Sequence, residues 1–223
     1  MSKKLFVQAI GKYILGLILF GVIIFVPAGT IRYPNGWLLL SVLFIPMFVA
    51  GIVMMVKNPA LLQKRLNARE EEKEQKAVVA LSGIMFLAAF VTAGLNFRFR
   101  WLVLPAWAVI VGAVVFLLAY AMYAEVLSEN TYLSRTVEVQ ENQQVIDTGL
   151  YGIVRHPMYS ATLFLFLSMG IILGSPYSFA ILLFYIPIIA KRIKNEEKVL
   201  EEGLEGYSEY KARVKYKVIP FIW

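Results

Sequence analysis

Apolar residues of this 223-residue chain fall into six segments separated by polar stretches. Four of the segments approach or exceed the ~20 apolar residues that a helix needs to cross a bilayer: 5–28, 37–56, 77–97 and 102–127. The last two, 158–173 and 177–190, are shorter and are joined by the turn at 174–176. The pattern predicts four long transmembrane helices followed by a helical hairpin, and it leaves open whether the hairpin crosses the membrane fully.

The composition supports a membrane protein. Hydrophobic residues make up 59% of the chain and charged residues 17%, against ~45–50% and ~25% in soluble domains. The mean hydropathy of +0.67 excludes a soluble enzyme, and it excludes a disordered chain, which needs low hydrophobicity and high charge. The chain has no cysteine and a single histidine, His156. A disulfide, a cysteine nucleophile and a multi-histidine metal site within the chain are therefore excluded, and we expect no metal.

The distribution of basic residues predicts the topology. The chain has 22 Lys and Arg residues and 15 Asp and Glu residues. The basic residues concentrate at the N-terminus, in the 57–76 loop and in 191–217. Since basic loops stay in the cytoplasm, we expect a multi-pass protein with both termini cytoplasmic. The excess of +7 then indicates attraction to anionic membrane lipids, and no nucleic-acid partner is expected. The 57–76 loop has the pattern of an amphipathic helix on the membrane surface, with a solvated run of charges.

The chain divides into two regions after residue 127. Residues 1–127 hold transmembrane helices 1–4, and 128–223 form a C-terminal catalytic region with the 158–190 hairpin and a cytosolic helix predicted over 191–202. Residues 136–140 alternate like a short strand or extended run. The predicted fold is an all-α integral membrane protein with a cytosolic cofactor pocket between the 128–156 loop and the 191–223 tail.

The first candidate for chemistry is the segment GLYGIVRHPMYS, residues 149–160. Pro157 suits the first turn of a helix, where its missing N–H costs nothing. This places Arg155, His156 and Tyr159 around a helix N-terminus, whose free N–H groups favour anions. The alternative is that Arg155 only marks the membrane boundary and that His156 only caps the helix. The residues alone do not decide between these two interpretations.

The second candidate is the segment KRIKNEEKVL, residues 191–200. Arg192 and Glu196 are four residues apart and share a helix face, while Glu197 points about 100° away from Glu196. An isolated window of this kind is also typical of a surface helix with an ordinary ion pair. Its position just after an apolar hairpin favours a functional role, because ionisable groups near the membrane interior are functional suspects.

The order of these motifs carries a family resemblance. RHPMY at 155–159, a short apolar hairpin, Glu196-Glu197, GYSEYKARV at 206–214 and IPF at 219–221 together resemble the isoprenylcysteine carboxyl methyltransferase family, which is related to the phospholipid N-methyltransferases. The resemblance covers roughly residues 130–223. It implies a membrane enzyme that binds S-adenosyl-L-methionine in a cytoplasm-facing pocket, while a lipophilic methyl acceptor enters from the bilayer.

The resemblance also implies roles for individual residues. Arg192 would engage the carboxylate of the acceptor, and Arg155 would have an ordering or electrostatic role in catalysis. Where the family usually has a histidine, this chain has Gln143. The implied contacts to the cofactor are Gln140, Gln143, Gln144, Val145, Ile146, Tyr151, His156, Pro157, Met158, Tyr159 and Glu196.

Several functions stay open at this point. O-methylation of a carboxylate on an isoprenylcysteine-like or other lipophilic acceptor is favoured over N-methylation of an aminophospholipid, because Arg192 would repel a cationic amine. An NADPH-dependent sterol reductase, whose C-terminal half resembles this motif region, and a non-catalytic membrane protein are also compatible with the residues. The acceptor stays open, with a small lipid, a thiol or a polyketide-like phenol as alternatives for N-, S- or O-methylation, and the oligomeric state does not follow from the residues.

Overall fold

The structure is a computed structural model, which describes residues 3–66, 73–130, 132–133 and 139–223. These described residues form nine α-helices and one 3₁₀ turn, Gly149–Gly152, with no strand among them. The α-helices are α1 Lys3–Ala28, α2 Pro34–Lys57, α3 Pro59–Leu66, α4 Lys73–Phe99, α5 Ala106–Glu129, α6 Pro157–Ile172, α7 Pro176–Leu182, α8 Tyr185–Gly203 and α9 Tyr207–Arg213. The predicted all-α fold is confirmed.

Five stretches of the described residues are long and apolar enough to cross a membrane: Leu5–Ala28, Pro34–Lys57, Lys76–Phe99, Ala106–Glu129 and Pro176–Gly203. Large apolar side chains such as Leu15, Val56 and Trp107 are exposed on these helices. In water such surface would be unfavourable, so it is the surface that lipid covers. Helix α6 is apolar but has only 16 residues, so whether it crosses fully stays open, and the cytoplasmic position of the termini stays a prediction.

Small residues set the closest helix crossings. Helix α4 packs against α1, α7 and α8, and α6 packs against α5 and α7. A Cβ atom added at Gly94 of α4 would lie 2.8 Å from the carbonyl oxygen of Ile24 on α1. One added at Gly170 of α6 would lie 2.6 Å from the backbone nitrogen of Phe179 on α7. Glycine at these points lets two backbones meet, which is a common way for membrane helices to pack.

The C-terminal helices differ from the sequence prediction. The apolar segment 177–190 is not one helix, because α7 ends at Leu182 and α8 begins at Tyr185. Pro187 explains the break: the ring of a helical proline clashes with the carbonyl four residues earlier, here that of Leu183. The predicted start of a separate helix near residue 191 is wrong, since α8 continues from the apolar into the polar residues without interruption.

Two other predictions fall partly on residues outside the description. In the 57–76 loop, α3 covers Pro59–Leu66 and α4 begins at Lys73, while residues 67–72 lie outside the described ranges. Of the extended run predicted over 136–140, only Val139 and Gln140 are described, and neither belongs to a strand.

The crossing of α1 and α4 can be tested with two alanine substitutions on one helix. Gly94→Ala forces a methyl group against the α1 backbone, so we expect the thermal unfolding temperature in detergent to fall. Gly83→Ala is the matched control, because nothing lies within 4 Å of a Cβ at that position of α4. Alanine favours helix over glycine by up to ~1 kcal/mol, so the control should be neutral or stabilising. Equal unfolding temperatures for the two variants would contradict the close crossing.

Candidate functional site

A pocket lies where the loop before Pro157, the N-terminus of α6, the polar half of α8 and α9 come together. Its lining includes eleven of the residues predicted from the sequence: Gln143, Gln144, Val145, Ile146, Tyr151, Arg155, His156, Met158, Tyr159, Arg192 and Glu196. The sequence analysis gave no individual role to the other lining residues, which are Asn130, Tyr132, Leu133, Val199, Leu200, Leu204, Tyr207 and Tyr210. The structure thus brings together segments that are some forty residues apart in the chain.

The phenol of Tyr159 connects the two charged residues of α8. Its hydroxyl donates to Oε2 of Glu196 at 2.5 Å and accepts from Nε of Arg192 at 2.8 Å. Tyr159 is buried, while Arg192 and Glu196 are half-buried. Arg192 and Glu196 therefore share a helix face, as predicted, and that face is turned towards α6 and the pocket. An ordinary pair on a solvated helix would not contact a buried residue of another helix.

Glu197, the neighbour of Glu196, lies in the protein interior and is only 4% exposed. Its Oε1 accepts from Nε of Arg155 at 2.8 Å and lies 3.2 Å from Nε2 of His156. Its Oε2 is 2.9 Å from Nζ of Lys217. One carboxylate therefore joins α8, the segment before α6 and the C-terminal tail. A signal for this was present in the sequence, since Glu197 continues the buried face of Ile189 and Ile193 at four-residue spacing.

Arg155 organises the C-terminal tail. Its Nη1 donates to the carbonyl oxygens of Val214, at 2.6 Å, and Lys215, at 2.9 Å. Its backbone N–H donates to Tyr216. With an exposure of 6%, the side chain is enclosed by the protein. These contacts order the C-terminal tail, and a role of Arg155 in catalysis stays a prediction.

His156 occupies the N-cap position of α6, but its side chain makes no capping hydrogen bond. The backbone carbonyl of His156 accepts from Tyr159 and Ser160 instead. The ring is buried beside Glu197, with Nδ1 3.9 Å from Oε1 of Glu196. The interpretation of His156 as a cap is therefore wrong for the side chain. Pro157 is the first residue of α6, as predicted, and it is buried outside the pocket lining.

Gln140 and Gln143 close a turn in the loop. The backbone N–H of Gln143 donates to the carbonyl of Gln140 at 3.1 Å, and the side-chain oxygen of Gln143 accepts from the backbone N–H of Gln140 at 2.9 Å. The side-chain amide of Gln140 donates to the carbonyl of Tyr132. Gln140 does not line the pocket, so its described contacts shape the loop, and its contact with a cofactor stays a prediction.

Three buried tyrosines form the far side of the pocket. Tyr210 donates to the carbonyl of Tyr151 at 2.8 Å, and the Tyr151 hydroxyl accepts from the amide of Asn130 at 3.0 Å. Burial raises the pKa of Tyr151, Tyr207 and Tyr210 well above the ordinary value of a phenol. All three therefore keep their protons at neutral pH. Around them, Val139, Val145, Leu200 and Leu204 form an apolar wall.

Comparison with known proteins finds a family that part of the chain resembles. Residues 108–202 match the sequence model of the isoprenylcysteine carboxyl methyltransferase (ICMT) family. The match covers a little under half of the chain. The matched range runs from α5 through most of α8, and it contains the RHPMY segment together with Arg192 and Glu196. The family resemblance is thereby confirmed, and the match supports a membrane methyltransferase.

A curated relative comes from a different enzyme class. The Delta(14)-sterol reductase TM7SF2 of Mus musculus is 28% identical over 92 residues, which is 40% of this chain and 22% of the reductase. The matching stretch thus spans about a fifth of the relative's length.

The role of Glu197 can be tested by removing its charge. Glu197→Gln leaves the buried guanidinium of Arg155 without its carboxylate, and breaking a buried ion pair in this way costs about 3–5 kcal/mol. We expect a clear fall in the unfolding temperature of the detergent-solubilised protein. Glu202→Gln on the same helix is the control, because its side chain is 69% exposed and 4.0 Å from Lys198. Equal unfolding temperatures for the two variants would contradict a stabilising role of the buried carboxylate between α8, the segment before α6 and the C-terminal tail.

Proposed function

We propose that this chain is an S-adenosyl-L-methionine-dependent methyltransferase that esterifies the carboxylate of an isoprenylcysteine-like or other lipophilic acceptor. The observation that carries the proposal is the meeting of Arg192 and Glu196 on the hydroxyl of Tyr159, within the stretch that matches a methyltransferase family. This arrangement sets a cation and an anion at defined positions on one wall of the pocket. It suits one ligand with a positive group, which Glu196 attracts, and a second ligand with a negative group, which Arg192 attracts.

The residues of the pocket fit the chemistry of the methyl donor. When bound, S-adenosyl-L-methionine supplies a methyl group carried on a positively charged sulfur. The carboxylate of Glu196 suits an ammonium group or ribose hydroxyls, and the apolar wall around Leu200 and Leu204 suits a purine ring. The rings of Tyr151 and Tyr159 attract a cation by ~0.5–2 kcal/mol each where they face it.

Arg192 suits the acceptor. A guanidinium presents donors in a planar fork that matches the two oxygens of a carboxylate. The α-carboxylate of a prenylated cysteine, with a pKa of ~3.3–3.7, is ionised at neutral pH. It therefore needs no general base, and the contribution of the protein is alignment of the reacting groups and exclusion of water.

The route of the acceptor is supported by the two halves of α8. Arg192 lies two residues after Ala190, where α8 passes from apolar to polar residues. Phe184 and Ile186, just before and within the apolar half, have exposed side chains. An acceptor with its lipid chain in the bilayer would present its polar end at the level of Arg192. This continuity supports entry of the acceptor from the membrane.

Two other functions are distinguished by their ligands. An aminophospholipid would bring a cation to Arg192, which would repel it. The match to a sterol reductase favours a second candidate, an NADPH-dependent reductase. Calorimetry on the detergent-solubilised protein separates the candidates: S-adenosylhomocysteine binding supports the methyltransferase, NADPH binding supports the reductase, and binding of neither supports a non-catalytic protein.

The acceptor class can be tested by methyl transfer from isotope-labelled S-adenosyl-L-methionine. We expect label in N-acetyl-S-farnesylcysteine, because its carboxylate is free to pair with Arg192. The matched control is the carboxamide of the same compound, which has the same lipid chain and no carboxylate. Label in phosphatidylethanolamine vesicles instead of the acid would overturn O-methylation.

The division of roles along α8 gives a further prediction. Arg192→Ala should raise the KM for the acid acceptor about 10- to 100-fold, since a charged hydrogen bond is worth about 1.5–3 kcal/mol. Glu196→Gln should instead raise the Kd for S-adenosylhomocysteine. Lys194→Ala, at an exposed position of the same helix, is the control and should change neither. A comparable loss of S-adenosylhomocysteine binding in both site variants would contradict the division.

A further inference from the structure

Tyr207, the first residue of α9, has a buried hydroxyl that does not stabilise the fold through a hydrogen bond to the described residues. The residue is 4% exposed, and its hydroxyl oxygen has no hydrogen-bond partner within the part of the chain that the structure describes. Leaving a buried donor unpaired is costly. Tyr207 lines the pocket, so a ligand bound there would supply a partner.

Of the two neighbouring tyrosines of α9, Tyr207 has an unpaired hydroxyl and Tyr210 does not. The two rings are 5.8 Å apart and both line the pocket. The hydroxyl of Tyr210 donates to the carbonyl of Tyr151 at 2.8 Å, so it holds α9 against the loop. No such contact among the described residues explains the hydroxyl of Tyr207, although both residues belong to the same apolar cluster with Leu204.

The surroundings indicate which kind of group Tyr207 would bind. Burial raises the pKa of its phenol, the charges of Glu197 and Glu196 raise it further, and the charge of Arg155 lowers it. Burial is the largest of these causes, so the oxygen keeps its proton and acts as a donor. Its neighbours in the apolar cluster, Leu204 and Tyr210, carry no charge, so a neutral acceptor fits best. Beside it, the apolar wall of Val145, Leu200 and Leu204 suits a flat ring whose only polar atoms lie on its edge.

We propose that the hydroxyl of Tyr207 donates a hydrogen bond to a ring nitrogen of the purine of the bound methyl donor. The inference rests on the proposed function and adds a residue that recognises the base. Ribose hydroxyls are a poorer match, because the carboxylate of Glu196 is available on the same pocket to accept from them. Tyr207 thus contacts the edge of the purine ring of the methyl donor.

The test compares Tyr207→Phe with Tyr210→Phe in the full chain in detergent, by S-adenosylhomocysteine calorimetry and by ligand-free thermal unfolding. Tyr207→Phe should raise the Kd about 5- to 20-fold, while the ligand-free unfolding temperature stays the same or rises, because an unpaired buried group is removed. Tyr210→Phe should lower the ligand-free unfolding temperature, because the carbonyl of Tyr151 loses its donor. A merely structural role of Tyr207 would instead lower the stability of its own variant.

Deaza analogues of S-adenosylhomocysteine, in which N1, N3 or N7 is replaced by CH, identify the acceptor atom. For the wild-type protein, one analogue should have a higher Kd than S-adenosylhomocysteine itself. For Tyr207→Phe, the same analogue and S-adenosylhomocysteine should have equal Kd values. Two results would overturn the role of Tyr207 and leave the proposed function standing. One is an equal Kd for S-adenosylhomocysteine in wild type and Tyr207→Phe, and the other is an equal rise in Kd for each analogue in both proteins. A wild-type protein that binds no S-adenosylhomocysteine would overturn the proposed function and this inference with it.

Discussion

The buried carboxylate of Glu197 connects three parts of the chain. It contacts Arg155 and His156 in front of α6 and Lys217 in the C-terminal tail. Because burying a charge is costly unless it is paired, the basic partners and the carboxylate hold one another in place. The start of α6 and the middle of α8 are thereby kept side by side, which is the condition for a pocket between them.

The candidate site depends on this connection because its own charges are arranged through Tyr159. That residue lies three positions after His156 on α6 and contacts Arg192 and Glu196 on α8. If the two helices moved apart, the hydroxyl would lose both partners. Of the two adjacent glutamates, Glu197 secures the helices and Glu196 faces the pocket. The 100° step of the helix assigns two similar side chains to different tasks.

The membrane helices contribute the setting of the site. Close crossings at Gly94 and Gly170 pack the bundle, and α8 runs without interruption from apolar residues into the polar half that holds Arg192 and Glu196. Charges placed at the end of an apolar helix stay near the bilayer surface, where a lipophilic molecule presents its polar group. A stretch of 92 residues is 28% identical to part of a sterol reductase. Similarity over such a stretch does not fix the activity, since one fold can carry different activities.

Local patterns in the sequence by themselves determined much of this protein. Hydropathy located the long helices, Pro157 marked the start of α6, and four-residue spacing put Arg192 and Glu196 on one face, because each of these depends only on neighbouring residues. The break after Leu182 is explained by Pro187, a local signal that hydropathy does not register. Only the tertiary structure decided that Glu197 pairs with residues more than forty positions away. It also decided that Gln140 lies outside the pocket lining. The same holds for the two tyrosines of α9: among the described residues the hydroxyl of Tyr207 is unpaired, while that of Tyr210 is hydrogen-bonded. Those outcomes depend on which segments meet across the fold, and a sequence pattern holds no distance between segments that are far apart in the chain.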